Sequence, residues 1–278
     1  MPQRPGLPNH HLRLNHVFES VPIISYVGFD SAIACHLLLM LPVAIHPTLV
    51  DLWLVREMAA FFRLHERLDL LVNGAIEHNV LGGVWYGLAL FVIWAEATRK
   101  GQREIQTRVL TTLVGSTLAV LLTFAAGALF SWPPPANHPG LANLFPQYLD
   151  VNPNTNCFPS QSTALYSAVA AGVFSLHRVG GCVLWVLVPI CIALPRMYVG
   201  GHFATDILVS LVLALAGYAL ARCLLEPRAL LKLGPLVNQG SPRLRLLVDV
   251  FVFFWILQVT VEFRDILWLM RVMESLLP

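Results

Sequence analysis

The residues best suited to chemistry in this chain are crowded into one short stretch, Arg196-Met-Tyr-Val-Gly-Gly-His202-Phe-Ala-Thr-Asp206. His202 and Asp206 stand four positions apart, so on a helix their side chains share one face. A carboxylate placed there can accept from one imidazole nitrogen, fix the tautomer and leave the other nitrogen as nucleophile or base. Arg196 follows Pro195, and Gly200-Gly201 lets the intervening backbone fold tightly. Its guanidinium can therefore return over the histidine and offer a bidentate fork to a phosphate.

A second element is Phe158-Pro159-Ser160-Gln161-Ser162-Thr163. Ser160 is placed to cap a helix that starts there, and the free N–H groups and positive dipole end of such a start attract an anion. A cation, a positive helix end and an oriented imidazole together make a phosphoryl-transfer site. The imidazole attacks phosphorus, the arginine and amides stabilise the charge on the transferring oxygens, and no metal is needed.

These residues must be positioned by helices in lipid. Of the 278 residues, 56% are hydrophobic and 12% charged, about half the charged share of a soluble domain. Crossing about 30 Å of hydrocarbon takes roughly 20 apolar residues with every backbone group satisfied internally. Seven stretches qualify: 23–49, 80–98, 109–131, 162–177, 181–195, 203–224 and 246–263. The fourth and fifth read as a tight hairpin turned by Arg178-Val-Gly-Gly. With the N-terminus cytoplasmic, most of the 18 basic residues fall inside, Arg99, Lys100, Arg103 and Arg108 on one short connection. Residues 50–79, 132–161 and 196–202 then share the outer face. An ionisable group at such an edge is costly and implies function.

The stretch 51–78 carries too many charges to span, and its apolar residues recur at helical spacing, which predicts an amphipathic helix in the membrane interface. Residues 132–159, with Trp-Pro-Pro-Pro, His-Pro-Gly and Asn-Pro-Asn, read as an irregular outer loop in which Asn152, Asn154 and Asn156 form turns. The expected layout is a cytoplasmic tail over 1–22, a membrane domain over 23–224 and a C-terminal extension over 225–278 holding the seventh helix, where Glu262, Arg264 and Asp265 can pair locally. A net charge of +2 gives no argument for a nucleic-acid partner, and the cysteines show neither disulfide nor metal-knuckle spacing.

With these motifs in view, the chain resembles the membrane branch of the type 2 phosphatidic acid phosphatase (PAP2) family. That family's third motif runs Ser-Arg, five residues, His, three residues, Asp, and here Pro195-Arg196, five residues, His202, three residues, Asp206 departs only at the serine. The second motif, Pro-Ser-Gly-His, is met in part by Pro159-Ser160-Gln161-Ser162. The first, Lys, six residues, Arg-Pro, is replaced by Phe130-Ser131-Trp132-Pro133-Pro134-Pro135, which holds no cation. The resemblance implies an all-α, six-helix core, a phosphohistidine at His202 oriented by Asp206, and phosphate ligands at Arg196 and Ser160, with Gln161 and Ser162 beside them. Ser162 stands where the family has its acid histidine.

A phosphate monoester leaves as an alkoxide and needs a proton, whereas a diphosphate leaves as phosphate. Loss of the acid histidine therefore suits a polyprenyl or other lipid diphosphate. His138 in the outer loop is the candidate replacement acid, and Arg56, Arg63 or Arg67 the candidate replacement cations. The expected protein is a cofactor-free lipid phosphatase whose partners are a lipid phosphate or diphosphate and the bilayer, set in a bacterial inner membrane with its site on the periplasmic side. The alternatives are a phosphotransferase of the same chemistry and a non-catalytic lipid-phosphate binder.

Overall fold

The computed structural model describes residues 47–62, 66–77, 82–145, 156–225, 242–264 and 266. Within them regular structure is all helical: α1 (Leu49–Phe62), α2 (Glu66–Glu77), α3 (Gly83–Lys100), α4 (Arg103–Leu129), α5 (Gln161–Leu176), α6 (Arg178–Tyr198), α7 (Ala204–Leu224) and α8 (Pro242–Thr260). Three of these, α4, α6 and α7, are long and apolar enough to cross a membrane. The expected first span, 23–49, lies outside the described residues apart from 47–49.

Helix α5 sits at the centre, against α4, α6 and α7, while α3 and α8 close the other side of α4. Small residues let these backbones approach, as lipid-embedded helices require in the absence of a hydrophobic drive between them. Ala119, Ala164, Ala168 and Ala214 form one buried cluster where α4, α5 and α7 meet. A Cβ on Gly217 would stand 2.6 Å from the Ala119 backbone nitrogen, and one on Gly172 would stand 2.2 Å from the Thr112 side chain. With only 16 residues, α5 is short for a lipid-facing span, yet its flanks are covered by neighbouring helices and most of its residues are buried. Outward-facing Leu121, Phe124, Leu208, Leu220, Phe251 and Phe254 make the apolar exterior.

Three expectations change. The turn between α5 and α6 falls at His177, whose Nδ1 accepts from the Gly180 amide at 2.9 Å, so Arg178-Val-Gly-Gly is already the first turn of α6. That helix also runs past Pro195 to Tyr198, putting Arg196 in its last turn instead of an outer loop. Pro189 and Pro195 offer no N–H to the ladder, and the helix widens into a π segment over Val188–Ala193. The predicted amphipathic helix is two helices, α1 and α2, and two of its carboxylates face inward: Asp51 and Asp69 are buried.

The C-terminal helix α8 is part of the bundle. Val252, Ile256 and Val259 belong to the same buried cluster as Tyr86, Leu113, Tyr166 and Val188. Two of the polar groups that enter this interior pair within the chain: Trp94 Nε1 donates to Asp249 at 3.0 Å, and Tyr166 donates its hydroxyl to the Thr260 carbonyl at 3.1 Å.

Because the Gly217 contact is with main chain, which has no rotamer to change, Gly217→Val is expected to cost about 1–3 kcal/mol. The measurement is the thermal unfolding midpoint in detergent, and an unchanged midpoint would show that α4 and α7 separate freely.

Candidate functional site

The chain leaves α6 at Tyr198 and reverses at once. The Gly200 amide donates to the Met197 carbonyl at 3.0 Å and the Gly201 amide to the Arg196 carbonyl at 2.9 Å. Gly200 takes φ +71, and a Cβ there would lie 2.5 Å from the Phe145 ring; conformation and space both call for glycine. The turn delivers His202 immediately before α7.

The first amides of α7 need acceptors that the helix cannot supply. Two carboxylates provide them. Asp206 accepts from the Phe203 amide at 2.7 Å, and Asp51 of α1 accepts from the Thr205 amide and hydroxyl, both at 3.0 Å. Negative charge there also matches the helix dipole. Asp51 accepts in addition from the Thr48 amide at 2.8 Å and hydroxyl at 2.9 Å, and Tyr198 donates its hydroxyl to Asp69 of α2 at 2.5 Å. Helices α1 and α2 are thus fastened to both ends of the Tyr198–Thr205 turn.

His202 Nδ1 lies 2.7 Å from the Cys157 carbonyl and 3.8 Å from Asp206 Oδ2. A carbonyl can only accept, so Nδ1 carries a proton, and in the neutral ring Nε2 keeps its lone pair. The nearest partner of Nδ1 is therefore a main-chain carbonyl, and Asp206, expected to orient the ring, stands further off and spends a short bond on the Phe203 amide. Burial, and after it the Asp206 carboxylate, push the Cys157 thiol up, so Cys157 stays protonated beside that charge.

Asn156 fixes the height of the Cys157 carbonyl. Its Nδ2 donates to the Gly127 and Phe130 carbonyls at 2.9 and 3.1 Å, and its Oδ1 accepts from the Trp132 and Phe158 amides at 3.1 and 3.0 Å. More than a turn former, it clamps the end of α4 to the approach of α5. Asn152 and Asn154 lie outside the described residues. Where the family's first motif would bring cations, Phe130 and Trp132 pack edge-on against Phe158, with ring centroids 6.1 and 5.8 Å away. Arg56 and Arg67 are exposed on α1 and α2, and Arg63 is outside the described residues.

Arg196 is buried, and its Nη2 donates to Ser162 at 2.5 Å and to Glu262 at 2.6 Å. The link to Ser162 joins the last turn of α6 to the first turn of α5. Ser160 occupies the cap position of α5, but its hydroxyl lies 3.0 Å from the Thr163 hydroxyl and makes no side-chain bond to a helix amide. Gln161 is exposed at the first position of α5. His138 sits at the end of the short turn Pro135–Asn137, its ring edge-on to Phe203 at 6.1 Å and its buried Nδ1 without a hydrogen-bond partner among the described residues.

Four contributors escaped the sequence reading. Asp51, Asp69 and Glu262 meet the site from far along the chain, and the Cys157 carbonyl carries no side-chain signature. The one usable signal was the cost of an ionisable residue at the end of an apolar helix, which applies to Glu262. Since Asp51 is the acceptor for the Thr205 amide, Asp51→Ala is expected to lower stability by about 1–3 kcal/mol, seen as an earlier thermal transition of the detergent-solubilised protein. A transition at the wild-type temperature would mean that water serves the Thr205 amide equally well.

Comparison with curated proteins and with solved structures found no match. The family comparison did: residues 108–228, from the start of α4 to just past α7 and so including Ser160, Ser162, Arg196, His202 and Asp206, match the model of the PAP2 superfamily.

Proposed function

We propose that the chain is a membrane lipid phosphatase that works through a phosphohistidine at His202 and acts on a lipid diphosphate at the outer face of the bundle. The PAP2 superfamily match suggests phosphatase-type activity at the coarse level. The observation that carries the finer reading is the 2.7 Å contact of His202 Nδ1 with the Cys157 carbonyl, because it commits the proton to Nδ1 and leaves Nε2 as a nucleophile of fixed direction.

In the first step Nε2 attacks the terminal phosphorus, a P–N bond forms, and the bond to the bridging oxygen breaks with its electrons leaving on the lipid phosphate. The imidazolium that develops is stabilised by the Cys157 carbonyl and by Asp206 at 3.8 Å. Arg196, Ser160, Gln161 and Ser162 gather around the start of α5, where the helix dipole favours the phosphoryl oxygens. In the second step water attacks phosphorus, the P–N bond breaks, and inorganic phosphate leaves. A lipid phosphate is a good leaving group, so this route makes little demand on a general acid, consistent with Ser162 at the usual acid position.

A monoester makes the opposite demand, and His138 beside Phe203 is the residue proposed to meet it.

His202→Ala is expected to abolish phosphate release from a lipid diphosphate while the protein stays folded; retained release would remove His202 as nucleophile. For the leaving-group argument, wild type should turn over a lipid diphosphate faster than the matching monophosphate, and His138→Ala should slow the monophosphate about 100-fold, the low end of general acid catalysis, while sparing the diphosphate. Equal wild-type rates on the two substrates would overturn that argument.

A further inference from the structure

Glu262 comes to Arg196 from the far end of the chain. It lies in the turn after α8, where Glu262 and Phe263 both take φ 57, a left-handed conformation that side-chain-bearing residues avoid. The backbone bonds that end α8 hold it there, from the Phe263 amide to the Gln258 carbonyl at 2.7 Å and from the Glu262 amide to the Val259 carbonyl at 3.2 Å, the pattern of a left-handed helix cap. This cap aims the Glu262 side chain at Arg196, with which it makes a 2.6 Å ion pair between side chains that are 10% and 14% exposed.

The bond pattern has a stereochemical consequence. A guanidinium offers two edges with parallel N–H bonds, one formed by Nη1 and Nη2 and the other by Nε and Nη2, and both need Nη2. Both Nη2 hydrogens of Arg196 are taken, one by Ser162 and one by Glu262. With Ser162 and Glu262 in place, Arg196 presents no two-pronged edge to a phosphate. Ser162 belongs to the first turn of α5 and is fixed with it. Glu262 is on the cap that ends α8, outside the helix, and its Oε2 lies 3.7 Å from Arg264 Nη2, a half-exposed cation that can receive the carboxylate if it leaves Arg196.

We infer, on the basis of the phosphatase reading, that Glu262 holds the place of phosphate on Arg196 and is exchanged for the terminal phosphoryl group when substrate binds. A buried guanidinium without a counter-charge is strongly destabilising, so Arg196 needs an anion beside it, and the turn after α8 supplies one. The exchange sets the affinity of the site. Any phosphate that takes the Arg196 fork must first displace a carboxylate, which raises KM and, after turnover, hastens release of inorganic phosphate.

The test uses the full chain in detergent, with inorganic phosphate and vanadate as probes. Glu262→Gln keeps the volume and one acceptor but removes the competing charge, and Glu262→Ser removes the contact if the glutamine still occupies it. Either folded variant should bind inorganic phosphate about tenfold more tightly than wild type, the scale of one charge-assisted hydrogen bond, and should show a lower KM for lipid diphosphate without a rise in kcat. Unchanged or weaker phosphate and vanadate binding in both variants overturns the inference, and weaker binding is what a purely orienting role for Glu262 would give. Wild-type turnover of lipid diphosphate judges the phosphatase reading separately, because the binding comparison needs no catalysis.

Discussion

The start of α7 governs the rest of the site. A helix that begins at Ala204 leaves its first amides without partners inside the helix. Asp206 and Asp51 take up that role, one from within the helix and one from α1. Once those carboxylates are committed, the Tyr198–Thr205 turn has a fixed course, Gly200 must adopt its left-handed conformation, and His202 must project toward the loop that precedes α5. The ring then meets the Cys157 carbonyl and its tautomer is set. Arg196, at the other end of the same turn, is directed to Ser162 and Glu262.

The bundle serves this geometry by being tightly packed. Close main-chain approach at Gly217, Gly172 and the four-alanine cluster brings α4, α5 and α7 together. That places the N-termini of α5 and α7 at the same end of the bundle as the C-terminus of α6. Two positive helix ends and a buried guanidinium thereby share one region, while the charged clusters at Arg99 to Arg108 lie at the opposite end of α3 and α4.

The local part of this arrangement was legible in the sequence. His202 and Asp206 are four apart, Arg196 sits at the family's spacing, and Ser160 to Ser162 open a helix, so short-range periodicity was enough to find them. The helices that carry these residues were also legible, since runs of apolar residues in a weakly charged chain have few other readings. What was hidden is long-range. Asp51 reaches Thr205 across 154 positions and Glu262 reaches Arg196 across 66, and no periodicity reports pairings of that kind. Amphipathic spacing even pointed the wrong way for Asp51 and Asp69, because it assigns carboxylates to the wet face unless a buried donor claims them. The turn at His177 was misplaced by three residues because two glycines look like a helix break, whereas in α6 Gly180 provides the amide that His177 caps.

The partner of the His202 ring is a peptide carbonyl, and that has a bearing on how the site can change over generations. Every amino acid has the same carbonyl, so no codon change at position 157 deletes the acceptor. A side-chain orienter is lost to a single nucleotide, whereas this one depends on the backbone that Asn156 ties to the end of α4. Asn156, which makes four bonds to the end of α4 and the approach of α5, is then the side chain whose loss would release the ring.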